Sequence, residues 1–124
     1  MTPARAFVSL VDDDISVRES LQAFLSELGF AVRPFASAEA FLHSDCVGET
    51  ECLVLDIAMP AMSGIDLQRE LQCRGYAIPI IFITAQQDEA VRARVIAHGA
   101  VGCLSKPLSE AAMLEALDAV FGKT

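Results

Sequence analysis

Positive charge is scarce in this chain. Its 124 residues carry nine lysines and arginines against seventeen aspartates and glutamates, a formal net charge of −8. A nucleic-acid backbone needs a basic face, so the composition argues against direct nucleic-acid binding by this domain. No long apolar run is present either; the sequence has no stretch of the length that spans a bilayer, and no membrane partner is expected. The segment Met1 to Leu10 has one arginine and a short apolar run that leads into acidic residues. It lacks the longer apolar region and cleavage site of a secretory signal, so a cytoplasmic protein is expected. Zinc-type ligand spacing is absent as well. The cysteines at 46, 52, 73 and 103 form no CxxC pair, and His43 and His98 stand far apart. Three of the four lie within or beside apolar runs and read as buried or half-buried reduced thiols. Repeats, linkers and low-complexity segments are missing, and the length fits one compact domain over residues 1–124.

What is present is an alternation of short apolar runs with amphipathic stretches. Ala6 to Val11 reads as a buried strand. Ile15 to Leu28 reads as a helix with Val17, Leu21, Phe24, Leu25 and Leu28 on one face, capped by Asp14 and stopped by Gly29. Phe30 to Phe35 is a second strand, and Pro34 within it predicts an edge position. Ser37 caps a short helix from Ala38 to about His43, and Ser44 to Glu51 looks like a polar loop. Cys52 to Leu55 is a third strand that ends at Asp56. A loop with Pro60 leads to a helix over Gly64 to Cys73, with Ile65, Leu67 and Leu71 facing inward. Pro79 to Ile83 is a strand ending at Thr84, Glu89 to His98 a helix closed by Gly99, and Val101 to Leu104 a fifth strand. Ser109 caps a last helix to about Phe121, with Leu114, Leu117 and Phe121 inward. Continuously apolar strands alternating with helices predict an α/β fold with a doubly wound parallel sheet, covered on both faces.

In such a sheet ligands bind beyond the carboxyl ends of the strands. The first strand is followed by Asp12, Asp13 and Asp14, the third by Asp56, the fourth by Thr84, and the fifth by Ser105, Lys106 and Pro107. Carboxylates, a hydroxyl and an ammonium therefore meet at one sheet edge. Converging carboxylates raise one another's pKa and need a countercharge. An oxygen-rich acidic set suits Mg²⁺, and Lys106, one of only two lysines in the chain, offers a second positive charge. A carboxylate can attack phosphorus and become an aspartyl phosphate. Taken singly, each residue also has a plain structural reading: the acidic triplet as a helix cap, Asp56 as a turn former, Thr84 as a strand end, Lys106 as a solvated charge. Their shared position at one edge favours the functional reading.

The segments Leu10-Val11-Asp12-Asp13-Asp14, Leu53 to Gly64, Ile83-Thr84-Ala85 and Lys106-Pro107 resemble the CheY-like receiver family of two-component response regulators. Ser37 to Leu42 is similar to its FixJ-type branch, and the likeness runs from about Phe7 to Phe121. The resemblance implies a flavodoxin-like five-stranded sheet of order 2-1-3-4-5. It implies Asp56 as phospho-acceptor, Asp13 as a direct Mg²⁺ ligand, Asp12 as a ligand through water or a residue that orients the site, and the backbone carbonyl of Ala58 as a further ligand. Thr84 would be the switch hydroxyl, and Lys106 would contact the phosphoryl group. A sensor histidine kinase is the implied donor, phosphorylation-dependent homodimerisation a further expectation, and a transcription-regulating output domain the implied context.

The pattern is broken at Cys103, where receivers commonly carry Tyr or Phe, and at Leu108, where Phe is frequent. Neither residue is expected to touch the phosphoryl group. The output step is expected to run through the loop after Thr84 and the helix from Glu89, without a ring rotation. Two other chemistries on similar scaffolds fit less well. A haloacid-dehalogenase-type phosphohydrolase needs a second acid where Ala58 stands, and a flavin or nucleotide module needs a glycine- or hydroxyl-rich loop where Asp12 to Asp14 stand. A receiver-like module that binds partners without phosphorylation would not need the acid set, Thr84 and Lys106, all of which are present.

Overall fold

Each apolar run forms a strand, and the chain winds outward from the first of them. The computed structural model describes residues 6–85 and 88–122. Its strands are β1 (Phe7–Val11), β2 (Ala31–Phe35), β3 (Cys52–Asp56), β4 (Ile80–Thr84) and β5 (Gly102–Ser105). They alternate with α1 (Ile15–Glu27), α2 (Ala38–Leu42), α3 (Gly64–Cys73), α4 (Glu89–Ala97) and α5 (Glu110–Phe121). All pairings are parallel, in the order β2-β1-β3-β4-β5. Pro34 lies on an edge strand, where its missing N–H costs no ladder bond.

Side-chain alternation along the strands splits the core in two. Val8, Leu10, Cys52, Val54, Ile81 and Ile83 pack with Leu21 and Leu25 of α1 and Met113 and Leu117 of α5. Val11, Leu53, Leu55, Phe82 and Cys103 pack with Phe41 of α2, Leu67 and Leu71 of α3, and Val95 of α4. Both faces of the sheet are thus covered, which is why the strands read as unbroken apolar runs. Burial pushes the Cys52 thiol up to about 12. Cys46, Cys52 and Cys103 are buried and unpaired, whereas Cys73 is exposed at the end of α3.

The helix caps follow the sequence. Asp14, Ser37, Ser63, Asp88 and Ser109 each accept a backbone N–H from the first turn of their helix. Gly29 and Gly99 take φ of 100° and 103°, the left-handed conformation that ends α1 and α4.

Three expectations need correction. Leu28 lies past the last turn of α1 and is 40% exposed. Leu114 is 39% exposed, because the phase set by the Ser109 cap turns Met113 and Leu117, four residues apart, onto the sheet. The stretch from Ser44 to Glu51 is not simply a polar loop. It holds a 3-10 turn at Val47–Glu49, and Cys46, Val47 and Thr50 are buried. The Thr50 hydroxyl donates to the Cys46 carbonyl at 2.7 Å and lies 2.7 Å from the hydroxyl of Ser9, so β1 and this turn share a satisfied polar contact.

Candidate functional site

Strand order reverses between β1 and β3, and the two strands deliver Asp12 and Asp56 side by side. Val11 pairs with Leu55. Asp12 is the next residue on one side, and Asp56 the next on the other. Asp12 is 0% exposed and Asp56 4%. The Asp12 N–H donates to the Phe35 carbonyl at 3.2 Å, and its Oδ1 accepts the N–H of Asp14 at 2.8 Å. Asp14 in turn caps α1, accepting the N–H groups of Ser16 and Val17 at 2.8 and 3.4 Å. Asp13, between them, is exposed. Carboxylate oxygens of Asp12, Asp13 and Asp56 all lie within 4.8 Å of one another.

After Asp56 the chain turns sharply. Ala61 adopts φ 65°, a strained conformation for a residue with a Cβ. Gly64 opens α3 so close to β3 that a Cβ there would run into the Asp56 carbonyl oxygen. Glycine is therefore required at that position. The Ala58 N–H faces the Asp56 carboxylate closely enough to favour its charged form.

Lys106 arrives from the far side. Its N–H donates to the Thr84 carbonyl at 2.8 Å, which ties the ends of β4 and β5 together. Thr84 itself is half-buried and pairs in register with Ser105. The Lys106–Pro107 peptide bond is cis. The Lys106 Nζ lies 3.1 Å from Asp12 Oδ2 and 3.7 Å from Asp56 Oδ2.

Electrostatics follow from this packing. Burial pushes the Asp56 carboxyl up to about 6, and the charges of Asp12 and Asp13 push the same way. Lys106 and the Ala58 amide oppose the rise without cancelling it. For Lys106, burial favours the neutral amine, but contact with Asp12 and the charges of Asp56, Asp12 and Asp14 outweigh it and hold its pKa above the ordinary lysine value.

One buried oxygen of this site remains short of a hydrogen-bond partner. Asp12 Oδ2 has no hydrogen bond of proper angle, although the Lys106 ammonium is within ion-pairing distance. An unsatisfied buried carboxylate oxygen beside two further carboxylates is the donor set of a hard divalent cation, so the residues present fit Mg²⁺.

The structure thus brings Asp12, Asp13, Asp56 and Lys106 together and sets Thr84 and Ala58 beside them. Reading the sequence missed two contributors. One is Gly64. The other is Arg18 of α1, whose Nη1 donates to the Asp12 carbonyl at 2.7 Å. A signal for it existed: side chains in a helix's first turns lean toward its N-terminus, here back over the acidic loop. Gln86 and Gln87, in the loop expected to carry output, lie outside the described residues.

The sequence profile of the response regulator receiver domain matches residues 8–118. The chain belongs to the response regulator receiver domain family. Nodulation protein W of Bradyrhizobium diazoefficiens is 43% identical over 113 residues, covering 91% of this chain and 50% of that protein. The transcriptional regulatory protein FixJ of Azorhizobium caulinodans is 37% identical over 117 residues, 94% of this chain and 56% of the relative. Among solved structures, the response regulator StyR superposes with a TM-score of 0.86 at 44% identity, over 94% of this chain and 59% of StyR. The receiver described here therefore spans about half the length of the curated relatives it matches. It is a signalling module of a two-component system with the CheY-like fold, and its relatives include transcriptional regulators. Receiver domains as a class are phosphorylated by sensor kinases and bind Mg²⁺. No helix among the described residues is long and apolar enough to cross a membrane.

Proposed function

We propose that Asp56 accepts a phosphoryl group from a phosphohistidine of a sensor kinase. The observation that carries the reading is the convergence of carboxylate oxygens of Asp12, Asp13 and Asp56 within 4.8 Å, with the Lys106 ammonium paired to Asp12 and Asp56. A carboxylate oxygen of Asp56 forms the new P–O bond while the donor's P–N bond breaks, and the electron pair of that bond leaves with the imidazole. With a carboxyl pKa of about 6, Asp56 is mostly ionised and nucleophilic at neutral pH and loses that capacity as the pH falls through 6. The carboxylates of Asp12, Asp13 and Asp56 and the backbone carbonyl of Ala58 would hold Mg²⁺. Bound there, the ion neutralises charge on the transferring group. Lys106 keeps its proton and pairs with a phosphoryl oxygen, and the Thr84 hydroxyl donates to another. Acetyl phosphate with Mg²⁺, followed by intact mass spectrometry, tests the assignment. One added phosphoryl group, lost in Asp56→Asn, is the expected result; no adduct, or one that persists in the variant, refutes it.

Output is proposed to use the face built from α4, β5 and α5, with homodimerisation on phosphorylation, in the service of a FixJ-type transcriptional regulator. Cys103 carries no ring to rotate. Its carbonyl instead accepts a hydrogen bond from Arg92 Nη1 of α4 at 2.6 Å, which links helix and strand directly. A larger mass with beryllofluoride in light scattering supports this reading, and an unchanged monomer counts against it.

A further inference from the structure

We propose that Arg18 is a positioning residue for the acidic cluster, its guanidinium clamping the Asp12 carbonyl and so setting where the Asp12 and Asp13 carboxylates stand toward a divalent cation. The inference rests on the Mg²⁺-assisted reading above.

β1 ends at Val11, so the Asp12 carbonyl lies just beyond the parallel ladder, in a residue with no exposed surface. A buried carbonyl needs a donor. Arg18 supplies one at 2.7 Å, the length of a charge-assisted bond. The other polar groups of Asp12 meet three different elements: its N–H donates to the Phe35 carbonyl at the end of β2, its Oδ1 accepts the Asp14 N–H, and its Oδ2 lies 3.1 Å from the Lys106 ammonium. Of these four anchors, only the Arg18 bond joins the Asp12–Asp13 peptide to the body of α1 through a side chain. Arg18 is itself fixed in the helix, its N–H donating to the Asp14 carbonyl at 3.0 Å. The Asp12 carbonyl belongs to the peptide that leads into Asp13. Rotation of that peptide would swing the exposed Asp13 carboxylate out of reach of the other two.

The test is the Mg²⁺ dissociation constant of the whole chain, measured from amide chemical shifts of Asp13, Asp14 and Ala58, for wild type, Arg18→Met and Arg18→Lys. Loss of an outer partner of a metal site weakens binding by roughly tenfold. Arg18→Met, which keeps the aliphatic stem, is expected to show that loss, and Arg18→Lys to recover most of it. Unfolding in urea without Mg²⁺ separates this from a general loss of stability, which would move the midpoint and leave the dissociation constant alone. An unchanged constant in Arg18→Met overturns the proposal. So does a tighter one, which would make Arg18 a repelling charge. If Arg18→Met does not fold, Arg18→Lys stands in for it, with a smaller but measurable weakening expected and no change refuting. Absence of Mg²⁺ binding by the wild type would instead overturn the reading beneath.

Discussion

The buried acid at the end of β3 should make this receiver less stable without its cation, by an amount that depends on pH. The folded Asp56 carboxyl titrates near 6, against an ordinary value of 3.8. As pH rises, the unfolded chain gives up this proton first, so the folded state binds more protons between the two values. Stability must then fall as pH rises through that window, with the penalty absent below about 4 and complete above about 6. At about 1.4 kcal/mol per unit the penalty comes to about 1.5 kcal/mol at pH 5 and about 3 kcal/mol at pH 7.5. Asp56→Asn removes the titrating proton yet keeps an oxygen for the Ala58 N–H. Measured by urea unfolding in a chelator, the variant should exceed wild type in stability at both pH values, with the gap about twice as large at pH 7.5. Saturating Mg²⁺ should narrow the gap at pH 7.5, because it binds the folded wild type and not the unfolded chain. A gap that does not change with pH, or a less stable variant, would refute the reasoning.

Lys106→Met leaves the Asp12 and Asp56 charges without their ammonium. It should lower metal-free stability at neutral pH by about 2 kcal/mol and raise the Asp56 pKa above about 6, seen by carboxyl NMR titration. Gly64→Ala forces a Cβ against the backbone of Asp56. A loss of about 3 kcal/mol in chemical unfolding is expected, and a near-neutral result would mean the close approach is wrong. Ala61→Gly relieves a left-handed alanine at φ 65°. The strain released exceeds the entropy added to the unfolded chain, so thermal unfolding should show a gain of about 0.5–1 kcal/mol.

Much of this receiver follows from local pattern. Residues packed on both sides must be apolar at every position, so β1, β3 and β4 appear as unbroken hydrophobic runs in the chain itself. Caps such as Asp14, Ser37 and Ser109 bond within a single turn, and the residues just past each strand are named by their order alone. Asp12, Asp13, Asp56, Thr84 and Lys106 were therefore legible as a sheet-edge set. Distances across the sheet were not, because they depend on register and on how the crossing segments pack. Only the folded chain decides that Asp12 is the enclosed acid and Asp13 the open one, that burial shifts Asp56 more than its neighbours do, and that Arg18 reaches back to the Asp12 carbonyl. The same holds for Met113 displacing Leu114 from the core, where one step of helical phase, 100° around the axis, separates a buried side chain from a half-exposed one.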